Sequence, residues 1–529
     1  MQFLGDKVAH AFCQKSQNIY VRINIALSYI LRENPMTIEE ILALTDKAQR
    51  IEYLKKGRRT EIPDVVRLYN DWNPNKHEII TDIEKYPKIR VVVEKGKEVK
   101  SDTTGRMTRT DDKVEYKDPN RIALPLEQDI VNIQTAFTVG TEPSIDCDTD
   151  DEGEKSLLSA LKQVIRKNKL KYQNKKIVRS WLSEQEVAEY WYAVKDDGFW
   201  AILKRKIASI FGKAVPEYRL KSTLWSPFRG DTLYPFFDDT GDMVAFSREY
   251  KKTNLDGTET TVFMTLTNDS IRTCIIGDNN QDEVVSHGFP KLPVIYTYRK
   301  NAYCDVIRPI RIRIEKLLSA FGDCIDYHFF PILKLFGEVT GFSGTTRNRV
   351  VNLTGEKADA AYLTWQQAAD PIKLELETLF SRAYSMTNTP QISFENLKGT
   401  GNALSGSAFR YVFMGAHMAV ENHAEEIGLF MQRRVNFLIS ALGTQNSRLA
   451  APAQTIDVEV NIVPYMIDNI DDKVQTAVTA VDGGIWSRKE GILFAGNADR
   501  VDEELKEIEE DKQRAAERDS KVGMTMGGF

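Results

Sequence analysis

Histidine and cysteine are scarce in this chain, which has six histidines and five cysteines among its 529 residues. The cysteines, at positions 13, 147, 274, 304 and 324, lie far apart and form no CxxC pair. We therefore expect neither a disulfide framework nor a zinc site, and we expect thiols kept reduced in a cytoplasm. His417 and His423 are six positions apart and do not share a helix face. The sequence predicts no metal centre.

Motifs that bind phosphate or carry catalysis are also missing. There is no GxxxxGK[ST] loop, because GFSGTTR and KGTGNALSG lack the lysine, and there is no HExxH or GxSxG motif. The acidic stretch DCDTDDEGEK would place Ser159 where a calcium-binding EF-hand needs its bidentate glutamate, so we interpret it as a solvated turn before a helix. We predict neither enzymatic activity nor a cofactor.

The chain has no excess of one charge and no long apolar run. Lys and Arg total 71 against 76 Asp and Glu, a net charge of −5, so the whole chain has no basic nucleic-acid signature and any DNA contact would be local. No stretch approaches the roughly 18–20 apolar residues that span a bilayer, and the first residues, MQFLGDKVAHAF, lack the apolar core of a signal peptide. We expect a soluble protein with no membrane partner.

What is present is a mixture of helical and strand patterns, with 42% hydrophobic residues to build a large core. Two runs, IEEILALTDKAQRIEYLKK and SLLSALKQVIRKNKLKYQNKKIVRSWL, are amphipathic with helical spacing, and the lysines of the second are interpreted as a solvated face. The middle third alternates apolar and polar residues between DDTG, NLDG and GDNN turns, which predicts antiparallel strands. The predicted fold class is α+β.

The most informative segment runs from residue 305 to 442. Val306–Tyr327 is predicted to be a helix with an apolar stripe formed by Ile307, Ile310, Ile314, Leu317, Leu318, Phe321 and Ile325. Its N-terminal half carries four basic residues, Arg308, Arg311, Arg313 and Lys316. The helix dipole disfavours positive charge there, so we expect compensation by carboxylates of a neighbouring subunit or by a phosphate backbone, and we favour the subunit pairing.

A glycine-rich loop and a long helix follow. Ser393–Gly406 contains three glycines and one basic residue, Lys398, and is interpreted either as an ordinary surface loop or as a loop that projects into a passage. Beyond it, small residues at Gly415, Ala416 and Ala419 would permit a bend. A buried stripe is predicted from Ile427, Phe430, Met431, Val435, Leu438 and Ile439.

The order of these segments resembles the portal proteins of tailed bacteriophages, of the long-tailed phage type. HGFPKLPVIYTYRKNAYCDVIRPIRIRIEKLLSAFGDCID is similar to the family's entry into its first stem helix, YHFFPILKLFG to the junction with the clip, and NTPQISFENLKGTGNALSGSAFRYVFMGA to the tunnel loop that leads into a long kinked helix. The resemblance implies seven regions: a wing at 1–304, a first stem helix at 305–330, a small α/β clip at 331–370, a second stem helix at 371–388, a tunnel loop at 389–406, a long kinked helix with a wing strand at 407–467, and a short helical crown with a C-terminal tail at 468–529.

The resemblance also implies a function. The chain would form a ring, usually of twelve subunits, at one vertex of a virion capsid assembled in the bacterial host cytoplasm. Double-stranded DNA would be pumped in and later ejected through it. Expected partners are the terminase large subunit, the major capsid and scaffold proteins, and a head-completion or adaptor protein.

Three groups of residues are the implied sites. The DNA-facing tunnel loop would comprise Asn396, Lys398, Gly399, Thr400, Gly401 and Asn402; the basic residues of the stem are Arg308, Arg311, Arg313 and Lys316; and clip docking would involve Phe336, Glu338, Arg347 and Arg349. Two alternatives stay open, namely a phage connector or other structural protein without a DNA channel, and an enzyme of phage DNA metabolism.

Overall fold

A computed structural model describes most of the chain. The described residues are 36–94, 98–100, 107–109, 111–195, 218–278, 282–328, 332–345, 348–363, 369–391, 406–465, 470–496, 501 and 504–514. Within them, helices and antiparallel strands alternate in the mixed pattern of an α+β protein, as predicted. None of the helices in the described part is long and apolar enough to cross a membrane.

The helices in chain order are α1 Ile38–Ala43, α2 Lys47–Lys56, α3 Val65–Trp72, α4 Glu78–Thr81, α5 Leu126–Val139, α6 Glu152–Lys167, α7 Leu170–Glu184, α8 Arg308–His328, α9 Ala369–Met386, α10 Gly406–Gln445, α11 Pro452–Thr455, α12 Ile470–Asp482 and α13 Arg488–Ala495. Residues 504–514 are also helical.

The strands in chain order are β1 Ile89–Glu94, β2 Glu98–Lys100, β3 Met107–Arg109, β4 Lys113–Lys117, β5 Ser144–Asp146, β6 Glu186–Lys195, β7 Tyr218–Trp225, β8 Asp231–Phe237, β9 Met243–Thr253, β10 Glu259–Leu266, β11 Ser270–Ile275, β12 Glu283–Ser286, β13 Val294–Tyr298, β14 Ile332–Thr345, β15 Asn348–Leu363 and β16 Glu459–Asn461.

The chain divides into two compact units, each built from separate stretches of sequence. Unit 1 contains the described parts of Met1–Trp72, Ile145–Tyr303 and Glu426–Val460, and unit 2 those of Asn73–Ser144, Cys304–Glu425 and Asn461–Phe529. Strands β6–β11, which the alternating pattern predicted, all belong to unit 1, as do β12 and β13, which it did not predict.

Unit 1 is built on a five-stranded antiparallel sheet in the order β12-β11-β10-β9-β8. Because successive side chains of a strand point to opposite faces, Leu233 and Tyr234 of β8 enter different clusters. Tyr234 packs with apolar residues of α1 and α2, whereas Leu233 packs with Trp225 and Val294 of the three-stranded sheet β13-β6-β7. The central sheet is therefore covered on both faces.

The second half of α10 supplies another wall of unit 1. The predicted stripe is buried, with exposed fractions of 0% for Ile427, 1% for Phe430 and 0% for Leu438. One charged residue lies within this face: Arg434 donates through Nε to Glu189 at 2.6 Å and through Nη1 to Asn174 at 2.7 Å. The prediction of a buried stripe is confirmed.

The lysine-rich run predicted as one amphipathic helix is two helices. α6 ends at Lys167 and α7 begins at Leu170, because Lys169 takes the left-handed conformation with φ 53°. Asp151 caps α6 by accepting from the backbone N–H of Glu154, which confirms the acidic turn before a helix.

Unit 2 is organised around α5, most of which is buried. Phe137 of α5 packs against Phe413, with ring centroids 5.3 Å apart, and against Ala416 and Val420 of the first part of α10. The helix ends at Gly140 as predicted, where a Cβ would lie 2.2 Å from the carbonyl oxygen of Ala136. α10 is assigned as one helix of 40 residues, and the bend near Gly415 stays a prediction.

Candidate functional site: the helix–hairpin–helix segment

The candidate site is the segment from α8 through β14 and β15 to α9, all within unit 2. A 3-10 turn at Asp305–Ile307 leads into α8, and Pro309 occupies the first turn, where its missing N–H costs nothing. With 21 residues, α8 is about 30 Å long and matches the helix predicted at Val306–Tyr327.

The polar face of α8 is buried, which the sequence did not predict. Arg311 and Glu315 are each 2% exposed and Ser319 is 4% exposed. In contrast, Ile325 of the predicted apolar stripe is 45% exposed. Only the N-terminal part of the stripe is buried, with both Ile307 and Ile314 at 0%. The fully buried members of the stripe therefore lie only in the first turns of α8, and its later members Leu317, Leu318 and Phe321 are partly buried.

An irregular segment, residues 120–124, explains the burial because it runs along this face of α8. The backbone N–H groups of Leu124, Ile122 and Asn120 donate to the side chains of Glu315, Ser319 and Asp323 at 3.0, 2.9 and 2.7 Å. Two residues of extended chain advance about 6.6 Å and four residues of helix about 6 Å, so the two spacings match. The polar side chains at every fourth position therefore satisfy alternate backbone donors of the neighbouring segment.

Arg311 is the centre of a charged cluster beneath this segment. Its guanidinium forms ion pairs with Glu127 of α5 and, at 3.1 Å, with Glu315 one turn along α8. Nδ1 of His77 lies 2.5 Å from the other carboxylate oxygen of Glu315, and both side chains are buried. A buried arginine that bridges two carboxylates holds the pieces of unit 2 in one arrangement, because removing any member leaves the others unpaired.

Glu127 is the titratable member of this cluster. Burial raises its pKa from 4.5 to about 7, and the positive charge of Arg311 opposes that rise without cancelling it. Glu127 belongs to an otherwise apolar helix face in which Ile130 and Val131 are buried, so little water stabilises its charge.

The other basic residues of α8 have partners in the same chain or face solvent. Arg308 lies 3.5 Å from Glu78, and Arg313 lies 2.8 Å from Glu375 of α9. Lys316 is exposed and, within the described part of the chain, forms no ion pair. The expectation that a neighbouring subunit or phosphate compensates these charges is wrong for Arg308, Arg311 and Arg313, because carboxylates of the same subunit lie beside them.

The region between the two helices is a two-stranded antiparallel hairpin in its described part. β14 and β15 pair from Ile332↔Leu363 to Thr345↔Asn348, with irregularities in register between Phe336 and Glu338 and between Val339 and Gly341. Among the described residues of the predicted clip range 331–370, only the last two are helical, where α9 begins at Ala369.

The predicted clip residues are placed unequally. Phe336 is 50% exposed on β14. Glu338 is paired in the ladder with Thr354, and Arg349 with Gly344. Arg347 lies outside the described residues.

The predicted tunnel loop also lies outside the described residues, which stop at 391 and resume at 406. This applies to Asn396, Lys398, Gly399, Thr400, Gly401 and Asn402. Before the gap, the side chain of Gln134 fixes the end of α9 by donating to the carbonyl oxygens of Thr387 and Asn388, each at 3.1 Å.

Sequence reasoning missed the residues that hold α8, namely His77, Asn120, Leu124, Glu127 and Glu315. One signal was present, since Arg311 and Glu315 have the i, i+4 spacing of a helical ion pair. A second was the glutamate at position 127 within the apolar segment NRIALPLEQDIVNI. Neither signal identifies partners that lie hundreds of positions away in the chain.

Comparison with known proteins gives one family and two distant structures. The family model described as "Phage portal protein, SPP1 Gp6-like" matches residues 52–518. A chain from the neck of an empty GTA particle, computed with C6 symmetry, is 11% identical with a TM-score of 0.37, and the match covers 70% of this chain and 90% of that chain. A chain from the virion of a native gene transfer agent particle gives 11% identity, a TM-score of 0.36 and the same coverage. No curated protein shows significant similarity.

Proposed function

Since the chain belongs to the SPP1 Gp6-like family of phage portal proteins, we propose that it forms a ring at one vertex of a phage capsid. Double-stranded DNA would enter the capsid and later leave it through this ring. The observation that carries the proposal is the family match over residues 52–518, which includes both units of the subunit.

The helix–hairpin–helix segment supports specific roles within that ring. We assign α8 and α9 to the stem and the hairpin β14–β15 to the clip, which would dock first the terminase large subunit and then a head-completion or adaptor protein. A 14-residue strand such as β14 is up to about 46 Å long, which suits a projecting element. Exposed Phe336 offers an apolar anchor on it, with Glu338, Arg347 and Arg349 nearby in sequence.

The charge balance suits a passage that DNA slides through. DNA carries one charge per about 1.7 Å of its axis, so a strongly basic bore would hold it. Three of the four basic residues of α8 have carboxylate partners in the chain, and Lys316 is the one of the four that forms no ion pair with a described residue. In this proposal the single basic residue of the loop 389–406, Lys398, contacts the DNA backbone.

A ring also needs contacts that close by rotation, with a different surface of each subunit meeting its neighbour. We propose twelve subunits, contacts with the major capsid and scaffold proteins, assembly in the host cytoplasm and no catalytic activity. ATPase and nuclease assays of the purified protein should show no turnover.

Electron microscopy of the purified full chain tests the proposal. The expected result is a ring with rotational symmetry and a bore wide enough for a B-form DNA duplex to pass. A monomer, or a ring with a narrower bore, would favour a connector protein without a DNA channel.

The role of the loop has a separate test. Lys398→Glu, or deletion of residues 398–401, should impair DNA packaging or retention while ring formation stays intact. Normal packaging by both variants would remove the loop from the passage without affecting the assignment to the family.

A further inference from the structure

The turn between α6 and α7 in unit 1 carries a concentration of positive charge that the proposed passage does not use. From 156 to 183 the chain contains no Asp or Glu but eight basic residues, although its net charge is −5. Six of the eight are exposed and define what is called here the basic surface: Lys162, Arg166, Lys167, Lys169, Lys171 and Lys176.

Within the described part of the chain, none of these six residues forms an ion pair. In the same part, an exposed lysine without an ion pair also occurs singly, as at Lys316, whereas Lys56 pairs with Glu52 at 2.6 Å and Lys251 with Glu259 at 3.2 Å. The basic surface is therefore distinguished by the number of cations that lie close together in the sequence without an acidic residue between them.

The start of α7 adds to the positive potential. Lys169 precedes the helix without a side-chain cap, and the first turn contains no acidic residue. Lys169 and Lys171 thus lie at the positive end of the helix dipole, where cations are unfavourable unless an anion is near. A phosphate placed there would meet the two lysines and the positive end of the helix dipole.

The neighbouring strand extends the same charge. The side chain of Asn168 donates to the carbonyl oxygen of Leu220 at 3.0 Å, which fixes β7 beside the turn. Exposed Arg219 and Lys221 flank Leu220 on that strand. The cations thus come from three elements that the fold holds together.

We propose that the basic surface binds the phosphate backbone of double-stranded DNA at a place separate from the helix–hairpin–helix segment. An acidic protein is the other polyanion to consider. Protein interfaces are centred on buried apolar and aromatic anchors, but within 156–184 and 218–221, all of which are described, Tyr172 and Tyr218 are the two exposed large hydrophobic residues, against eight exposed cations. DNA backbone contacts need positive charge alone and carry no sequence preference.

The proposal relies on the proposed function only for the presence of DNA around the ring. The basic surface would hold DNA against the subunit, whereas a passage must let it slide. A holding contact needs cations without ion pairs, as found here, whereas a passage needs little net positive charge, as on α8, where carboxylates neutralise the arginines.

The test measures binding of a short fluorescent duplex of mixed sequence to the assembled full-chain ring by anisotropy, between about 50 and 200 mM salt. The variant is Lys167→Gln/Lys171→Gln/Lys176→Gln, which keeps good helix formers at every position. The matched control is Lys56→Gln/Lys88→Gln/Lys251→Gln, which changes the net charge equally but removes lysines that pair with carboxylates.

The basic-surface variant should bind at least about tenfold more weakly, and its slope of log K against log salt should be smaller by about 2.7, or 0.9 for each lost phosphate contact. The control should stay within about twofold of the wild type, as expected for lysines whose charge is already paired. An equal loss in both variants, or no loss in the first, would overturn the proposal.

Two further measurements test the other possible partners of the basic surface, an acidic protein and a neighbouring subunit. Binding of poly-glutamate without binding of the duplex would show an acidic-protein site, and loss of the ring with unchanged DNA affinity would show a contact between subunits; either result overturns the proposal. A ring whose bore is too narrow for duplex DNA, but whose DNA affinity still falls in the basic-surface variant, would refute the conduit and support this proposal. Failure of the conduit proposal can therefore be distinguished from failure of this one.

Discussion

Helix α8 and the second half of α10 carry equally regular apolar stripes in the sequence, yet they bury their stripes to different extents. In α10 the stripe itself is buried, with Ile427 and Leu438 fully covered. In α8 Ile314 of the stripe is fully covered but Ile325 is 45% exposed. Arg311 and Glu315, on another face of α8, are covered as well.

The difference arises from what covers each helix. Trp191 and Phe289 pack against Phe437 in this part of α10, so that its apolar residues gain by facing such neighbours. The irregular segment 120–124 covers α8, and its backbone N–H groups need acceptors. Periodicity thus shows that a helix has two faces, but the chemistry of the neighbouring segment decides which of them is buried.

Removal of Arg311 should produce the largest loss in the free energy of unfolding. It is the most direct test of whether the buried polar face of α8 stabilises the fold as the buried apolar stripe of α10 does. Arg311→Ala leaves the buried carboxylates of Glu127 and Glu315 without their cation, so we expect a loss of about 3–5 kcal/mol in the free energy of unfolding. Urea denaturation of the full chain followed by circular dichroism measures it.

The control for this variant is Arg313→Ala, on the same helix. Arg313 and Glu375 are 47% and 41% exposed, and such a pair is worth at most about 1 kcal/mol. Equal losses in the two variants would mean that burial of the polar face does not stabilise α8.

The corresponding test on α10 removes apolar volume. Ile427→Ala should cost about 2–5 kcal/mol, because the side chain is completely buried and its deletion leaves a cavity. Leu429 lies two residues further along and is 55% exposed. Leu429→Ala should therefore reduce the free energy of unfolding by well under about 1 kcal/mol, because the side chain buries little apolar surface. If both variants have similar stability, the face assigned to the core of unit 1 is incorrect.

A pH titration sharpens the contrast, because the buried face of α8 contains a carboxyl group with a raised pKa. Glu127 keeps its proton to a higher pH in the folded chain than in the unfolded chain, so its contribution to stability is complete below about 4.5 and is lost as the pH rises through about 7. Glu127→Gln should remove this part of the pH dependence.

Thermal denaturation between pH 4.5 and pH 8 measures that change as the difference between wild type and variant. The subtraction is needed because burial also raises the pKa of Glu186 and Asp231 in unit 1. Parallel curves for the two proteins would show that Glu127 titrates alike in the folded and unfolded chains.

The smallest effect is expected on the exposed face of α8. Ile325→Ser should change the free energy of unfolding by no more than about 0.5 kcal/mol, as for surface positions generally. A loss of about 2 kcal/mol or more, measured in the same urea titration, would mean that the apolar face is covered after all.

The sequence predicted the α+β class, the strands of the middle third, both helices that flank the hairpin and the end of α5 at Gly140, since each depends on local pattern or on a terminating residue. The sequence did not predict contacts between residues that are distant in the chain, or a helix break at a residue type that does not usually end helices. The pairing of His77 with Glu315 joins residues 238 positions apart. The break at Lys169 has neither glycine nor proline to announce it.

The long sequence separation within the charged cluster also delays the assembly of this cluster during biosynthesis. Residue 315 leaves the ribosome 238 residues after its partner His77, a delay of about 12–48 s at ordinary rates of roughly 5–20 residues per second. For most of that interval, from the synthesis of residue 127 until that of residue 311, the chain contains Glu127 but not Arg311. The nascent chain therefore carries a hydrated glutamate on the face of α5 that the folded chain buries, and this face can be covered only after α8 has been translated.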